Sequence, residues 1–156
     1  MQNPQYQEDY FVYTTGVGLE TSFVPLDGGD SGEATIQVEA DSYFKAIKAV
    51  YHCYTATSIT DEDAASASVT FANLILPPIT VDMIDDSSGR ILSNERVFVN
   101  NAFGNRGGLP IIFSTPRIFR ARSIIRFRAT NERAAGAGDP LQIVLSLVGV
   151  KGYKAT

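Results

Sequence analysis

Seven residues, Thr35-Ile36-Gln37-Val38-Glu39-Ala40-Asp41, alternate polar and apolar side chains without a fault. Successive side chains of a β-strand point to opposite faces, so this pattern indicates a strand with one buried and one solvated face. Residues 141–147 repeat the pattern, with apolar side chains at Leu141, Ile143, Leu145 and Leu147. Both segments are typical of an antiparallel sheet.

Strand composition extends outward over most of the chain. Residues 43–55 are rich in Tyr, Val and Ile and are apolar on both faces, which predicts a long inner strand with a bend. We expect six further strands, near residues 11–15, 21–24, 69–76, 79–84, 90–99 and 123–130. Only residues 61–67 have the composition of a short helix.

The segments between these strands are rich in the residues that form turns. Gly, Asp, Asn and Pro cluster at residues 27–32, 85–89, 100–110 and 136–140. Many short strands and almost no helix predict an all-β fold, a single antiparallel β-sandwich that is jelly-roll-like, with a barrel as the alternative. We expect one domain at residues 11–156, preceded by an arm at residues 1–10 that only contact with another molecule orders.

Length and composition exclude several classes of protein. A chain of 156 residues that is 44% apolar fits one domain and can bury a core without metals or disulfides. Cys53 is the only cysteine and His52 the only histidine, so a Cys/His zinc site lacks ligands. No apolar run reaches the roughly 18 residues of a membrane span. We therefore expect a soluble protein, made in the cytoplasm, without a cofactor or metal.

No set of residues predicts catalysis. His52 and Cys53 are neighbours in a predicted strand and point to opposite faces, so the imidazole is poorly placed to activate the thiol. The Asp residues lie mainly in turns, where they ordinarily form hydrogen bonds, and none of the Asp/Gly loops has the spacing of a calcium loop. We expect that the protein is not an enzyme.

The formal net charge of −4 conceals two oppositely charged halves. Residues 1–63 contain eleven Asp/Glu and two Lys, a net charge of −9, whereas residues 64–156 contain six Asp/Glu and eleven Lys/Arg, a net charge of +5. Affinity for nucleic acid comes largely from neutralising phosphates, so the acidic total disfavours direct binding of nucleic acid.

Arginines in the basic half share a spacing. Four of them have even numbers within a predicted strand, which places their guanidinium groups on one face: Arg120, Arg122, Arg126 and Arg128. Two interpretations stay open: ion pairs within the chain, with the polar face formed by Gln37, Glu39 and Asp41, or contacts with an acidic surface of a neighbouring subunit. Binding of a phosphate backbone is a third and weaker possibility.

Aromatic and basic residues outside that stripe complete the predicted interface. Phe103 lies in a Gly/Asn-rich loop and is the clearest candidate for an exposed anchor, although a plug at the end of the core is the favoured interpretation. The other candidates are two tyrosines of the arm and two further arginines: Tyr6, Tyr10, Arg106 and Arg117.

Several short strings, in this order, resemble small virion structural proteins of tailed bacteriophages. The strings are TVDMIDDSSGRIL at residues 80–92, LPIIF at 109–113, PRIF at 116–119 leading to SII at 123–125, and LSLVGVK at 145–151. Upstream, TIQVEAD at residues 35–41, followed by Phe44, is similar to an early strand of that family. The resemblance covers about residues 35–153. The acidic residues 61–63 and the arginines after Pro116 are particular to this chain.

The resemblance implies a β-sandwich that is present in many copies and held by protein contacts. The expected function is that of a capsid cement or decoration protein of the virion, which bridges subunits of the major capsid protein and itself forms a dimer or trimer. A head–tail adaptor or tail protein is the alternative within the virion. A carbohydrate-binding module is the alternative from another class, although the chain lacks Trp.

Overall fold

β-Strands are the main secondary structure in the part of the chain that the structure describes. The structure, a computed structural model, describes residues 6–15, 25–55, 77–91, 96–105 and 110–154. The elements are β1 (Tyr6–Thr15), β2 (Ser31–Gln37), β3 (Ser42–Thr55), β4 (Ile79–Asp85), β5 (Arg90–Ile91), β6 (Val97–Phe98), α1 (Val99–Ala102), β7 (Gly104–Asn105), β8 (Ile111–Phe119), β9 (Ile124–Asn131) and β10 (Leu141–Lys154). The expected all-β class is confirmed.

The first sheet, sheet A, brings together the two ends of the described chain. Its order is β1-β10-β3, and β7 and β8 both pair with the far edge of β3. The pairings are antiparallel except for the two-residue parallel contact of β3 with β7. As its composition predicted, β3 is an inner strand, and its register with both neighbours shifts beside Ile47, an irregularity of the kind at which strands bend.

The second sheet, sheet B, has the order β2-β9-β4, and β5 and β6 both pair with the far edge of β4. All its pairings are antiparallel. Each sheet is therefore four strands wide. One face of each is apolar: sheet A contributes Phe44, Tyr51 and Leu145 to a single core, and sheet B contributes Ile125 and Phe127.

Burial of these faces holds the sandwich together, since a fully buried Leu, Ile or Phe contributes about 1.5–3 kcal/mol. The predicted alternation is confirmed over residues 35–39, because Ile36 and Val38 are buried whereas Gln37 and Glu39 are exposed; β2 ends at Gln37, however, and Ala40 is exposed in the turn that follows. The jelly-roll order of connections stays a prediction.

Gly149 allows β10 and β3 to approach each other at the register shift. A Cβ atom at this position would lie 2.0 Å from the carbonyl oxygen of Lys45, which is far inside van der Waals contact. The contact is with backbone, which cannot rotate away as a side chain can. A glycine is therefore required where the two central strands of sheet A change register.

The predicted arm differs from the structure over residues 6–10, which form the first half of β1. They pair in register with residues 150–154 of β10, from Tyr6 opposite Lys154 to Tyr10 opposite Val150. The sequence contains few apolar anchors here because the pairing is made by backbone groups, which leave no trace in composition. Residues 1–5 of the predicted arm lie outside the described residues.

Strand β8 was not predicted. It contains Pro116, which has no N–H to donate, and residues 113–116 separate its two segments of pairing with β3. The predicted strands at residues 21–24 and 69–76 and the predicted helix at 61–67 lie outside the described part of the chain. Of the predicted strand at residues 90–99, residues 90–91 form β5 and residues 97–98 form β6, Val99 begins α1, and residues 92–95 lie outside the described residues.

Candidate interaction surfaces

The outer face of sheet B carries two of the predicted arginines, and both are paired within the chain. Arg128 lies directly between Glu33 on β2 and Asp82 on β4, and its guanidinium Nη2 is 2.8 Å from Glu33 Oε1. The hydrogen bond from Arg128 to Glu33, together with the charge of Glu33, raises the pKa of Arg128, and Asp82 adds to the effect. Arg126 donates from Nε and Nη2 to Asp86 Oδ2, at 3.0 and 2.6 Å.

The predicted stripe of four arginines is therefore wrong as a single surface. Arg120 and Arg122 precede β9, which begins at Ile124, and they belong to the turn after β8. Arg122 has a φ of 66° and donates its backbone N–H to the carbonyl of Val38 at 3.0 Å. Both side chains are exposed, and no ion pair within the described ranges includes them. The even numbering failed because a turn interrupts the strand periodicity.

Phe103, the predicted exposed anchor, is only 1% exposed and belongs to the core. Phe103 follows the last residue of α1, and its backbone N–H donates to the carbonyl of Val99, the first residue of that helix. Its ring meets the ring of Phe127 edge-on, with the ring centroids 6.1 Å apart. The short helix turns the loop inward, so the alternative interpretation as a core plug is the one observed.

The remaining predicted residues fall in three places. Arg117 lies on β8, half-buried, with its guanidinium 5.5 Å from the centre of the Phe113 ring. Tyr10 is highly exposed on β1. Arg106 and the side chain of Tyr6 lie outside what the structure describes.

The outer face of sheet A exposes large apolar side chains, which the sequence analysis did not single out apart from Tyr10. Four of them lie on its two outermost long strands: Tyr10 (71% exposed), Val12 (41%), Ile112 (69%) and Ile118 (64%). Strand register arranges this face as two adjacent rows, Tyr10–Val150–Lys45–Ile118 and Val12–Val148–Lys48–Ile112. We call these eight residues the sheet A patch.

The charge of the sheet A patch is unlike that of sheet B. Lys45 and Lys48 occupy the middle of the two rows, and none of the ion pairs among the described residues includes either of them. On sheet B, by contrast, Arg128 is paired with Glu33 of the neighbouring strand β2 and Arg126 with Asp86 of the turn that follows β4. Sheet B is thus largely neutralised within the chain, whereas the sheet A patch combines apolar side chains with two unneutralised ammonium groups.

The inner face of sheet A ends in a buried lysine that sequence reasoning missed. Lys151 Nζ lies 4.3 Å from the centre of the Phe11 ring and 5.6 and 5.4 Å from those of Tyr13 and Tyr153. It is 2.6 Å from Glu39 Oε2; the Lys151 side chain is 4% exposed and that of Glu39 is 49% exposed. The cluster joins residues more than a hundred positions apart, so no local pattern announces it.

Hydrogen bonds lower the pKa of Glu39, the acid of this cluster. Burial by itself would raise the pKa of Glu39, but hydrogen bonds from Lys151 and from the Tyr13 hydroxyl outweigh it, and the pKa lies below its ordinary value. Burial and the bond to Glu39 raise the pKa of Tyr13. The groups hold a proton distribution in which Glu39 is ionised and Tyr13 neutral.

A cleft of about 470 Å³ opens between the β8 edge of sheet A and the β4–β5 edge of sheet B. Its lining includes Arg90, Arg117 and Asp85. The Asp85 carboxylate accepts hydrogen bonds from the backbone N–H of Ser87 and from the Ser88 hydroxyl, so it serves the β4–β5 turn.

The neighbours His52 and Cys53 lie on opposite faces of β3. Cys53 is fully buried, which raises the pKa of its thiol to about 12. Within the described ranges no three His, Cys, Asp or Glu residues lie close enough to hold a metal ion. No helix in the same part of the chain is long and apolar enough to cross a membrane.

Comparison with family models, curated proteins and solved structures found no match.

Proposed function

We propose that the protein is a non-enzymatic structural component of a tailed-phage virion, namely a capsid cement or decoration protein. The sheet A patch carries the proposal, because exposed apolar side chains lie on both of its outer strands, β1 and β8, and exposed apolar surface of this kind is typical of a protein interface. The resemblance of the strings at residues 35–41 and 80–151 to small virion proteins supports it. In this proposal the partner is the major capsid protein, with neither nucleic acid nor membrane in contact.

The charge of the patch specifies what the capsid surface must offer. Lys45 and Lys48 lie between apolar side chains, so burying them without counter-charges would be costly. We infer that the capsid surface places carboxylates opposite them and apolar side chains opposite Tyr10, Val12, Ile112 and Ile118. A protein that binds only the assembled shell stabilises that shell by mass action.

Self-association belongs to the same proposal. Arg120 and Arg122 are exposed beside the Val38–Glu39 backbone, and they are suited to ion pairs with the acidic half of a neighbouring copy. A dimer or trimer would multiply the number of patches that contact the shell.

The experiment measures binding to assembled shells of the phage that encodes the protein. Ile112→Asp and Lys48→Glu each change the sheet A patch and are expected to weaken binding at least about tenfold. Ile124→Asp and Arg126→Glu are the matched controls, because they place the same changes on the outer face of sheet B, and they are expected to bind normally.

Two results would contradict the proposal. One is binding that depends on the sheet B residues and is indifferent to Ile112→Asp and Lys48→Glu. The other is a copy number of about six or twelve per particle, which matches the symmetry of a portal or tail ring. A cement protein, in contrast, is present on the order of hundreds of times per particle. A glycan-binding screen with the same variants tests the carbohydrate-binding alternative.

A further inference from the structure

The sheet edges of this sandwich are protected to very different degrees. Strand edges offer unpaired N–H and C=O groups, and proteins usually guard them with prolines, bulges or short strands. On sheet A, β8 carries Pro116 and a four-residue interruption of pairing. On sheet B, β5 and β6 are two residues each, and β2 has seven.

The edge of β1 has none of these protections. The strand is ten residues long, pairs with β10 without a shift of register, and contains no proline, glycine or lysine. Within the described part of the chain, β10 is its only paired neighbour, and it touches β2 without strand pairing. Tyr10 and Val12 expose apolar surface beside this edge. A long, regular edge with exposed apolar side chains at its centre is the kind that pairs with another strand.

We propose that β1 pairs with β1 of a second copy of the chain, antiparallel across a two-fold axis. A two-fold axis perpendicular to the sheet makes the two copies of one strand antiparallel, and it keeps both outer faces on the same side. Sheet A then continues over eight strands, and its patches form one surface. The inference concerns the chain by itself and does not depend on the proposed function.

Charge and side-chain type select the register of this pairing. A pairing centred on Glu8 or Asp9 would oppose that carboxylate to itself, and like charges directly opposite are destabilising. A pairing centred on Phe11 places Tyr10 opposite the partner's Val12 on the outer face, twice by symmetry. Aromatic with β-branched residues is a favourable cross-strand pair. The same register places the carboxylate of Glu8 opposite the partner's Thr14.

The first test is the mass of the protein in solution, by sedimentation over a dilution series. We expect a dimer of twice the 16.9 kDa chain. Val12→Lys places an ammonium beside the partner's Tyr10 and is expected to raise the dissociation constant at least about tenfold. Thr35→Lys, on the outer face of edge strand β2, is the matched control and is expected to leave the dimer intact. Circular dichroism confirms that both variants fold.

The second test reads the register. Tyr10→Cys and Val12→Cys are made as separate proteins, and oxidation is expected to cross-link them when they are mixed but neither one alone. Cys53 is buried and stays out of the reaction. A monomer at all concentrations, another oligomer, or a dimer indifferent to Val12→Lys would overturn the proposal. Cross-linking of Tyr10→Cys with itself would overturn the register.

Discussion

Lys151 shows how one residue can be buried in its charged form. Its ammonium lies among three aromatic rings, whose faces attract a cation, and among the described residues its one ion-pair partner is Glu39. The two partners are unequal, because the lysine is almost fully buried and the glutamate is half-exposed. Asp9 lies opposite Lys151 on β1 but is exposed. The lysine therefore depends on the glutamate more than the glutamate depends on it.

Removing the Glu39 side chain should therefore lower the free energy of unfolding more than removing the Lys151 side chain does. We expect Glu39→Ala to lower the free energy of unfolding by about 2–4 kcal/mol, because it leaves a buried ammonium without its counter-charge. Lys151→Met should lower the free energy of unfolding by less, and the double variant Glu39→Ala/Lys151→Met should recover most of the stability that Glu39→Ala loses. Urea unfolding measures all three. Glu33→Ala, which breaks the exposed pair with Arg128, is the control and should change stability little; an equal loss there would contradict this account.

The lowered pKa of Glu39 predicts loss of stability in acid. The ionised form is favoured in the folded state, so its contribution is present above the unfolded pKa of about 4.5 and is lost as pH falls through the lower folded pKa. Lys151 and the Tyr13 hydroxyl contact the carboxyl group of Glu39, and Tyr153 and Asp9 lie beside Lys151. Unfolding of the wild type and of Glu39→Gln is to be measured from neutral pH downward. The two curves should converge in acid, whereas parallel curves would show that Glu39 does not contribute.

At the scale of elements, the sequence predicted strands wherever apolar periodicity alone determines them. β2 and β10 alternate because one face is buried, and the Tyr, Val and Ile content of β3 indicated a strand although its outer face carries Lys45 and Lys48. β8 was missed because Pro116 and the interrupted pairing break its periodicity. The sheet A patch was missed for a different reason: its rows exist only once β1, β10, β3 and β8 are aligned.

The assignment of residues 6–10 to β1 leads to a deletion experiment. Removing residues 1–10 takes away the partners of residues 150–154. With a net contribution of about 0.5–1.5 kcal/mol for each lost hydrogen bond, we expect a loss of about 2–5 kcal/mol in the free energy of unfolding. Removing residues 1–5 leaves every described pairing of β1 in place and is the control. A ten-residue deletion as stable as this control would mean that the segment is an arm after all.

For the whole molecule, the two oppositely charged halves of the chain meet within one subunit. Two of the four described ion pairs join them: Glu33 with Arg128, and Glu39 with Lys151. The antiparallel pairing of β2 with β9 places Glu33 beside Arg128. At one side of the sandwich β1 contacts both β2 and β10, and there Glu39, which follows β2, lies beside Lys151 of β10. Of the cations that no described ion pair includes, Lys45 and Lys48 lie together on the outer face of sheet A, whereas Arg120 and Arg122 lie in the turn after β8.

This distribution predicts a weak effect of salt on stability. Arg126–Asp86 and Arg128–Glu33 are exposed, and salt at 1 M screens charges over about 3 Å. We expect sodium chloride to lower the melting temperature by a few degrees at most, measured by calorimetry. The double variant Arg126→Met/Arg128→Met should lose most of that dependence. A large salt effect that survives in the double variant would place the important electrostatics elsewhere.

The pairing of β1 with β10 also makes a circular permutation of the chain possible. Tyr6 lies directly opposite Lys154, so the two ends of the described chain stand side by side, one strand spacing of about 5 Å apart. A short linker is enough to join them. New ends can then be opened in the glycine turn at residues 136–138, giving a circular permutant with the same sheets. Cargo joined at Tyr6 or at Lys154 would leave the sandwich at the same corner, so one attachment geometry serves for both.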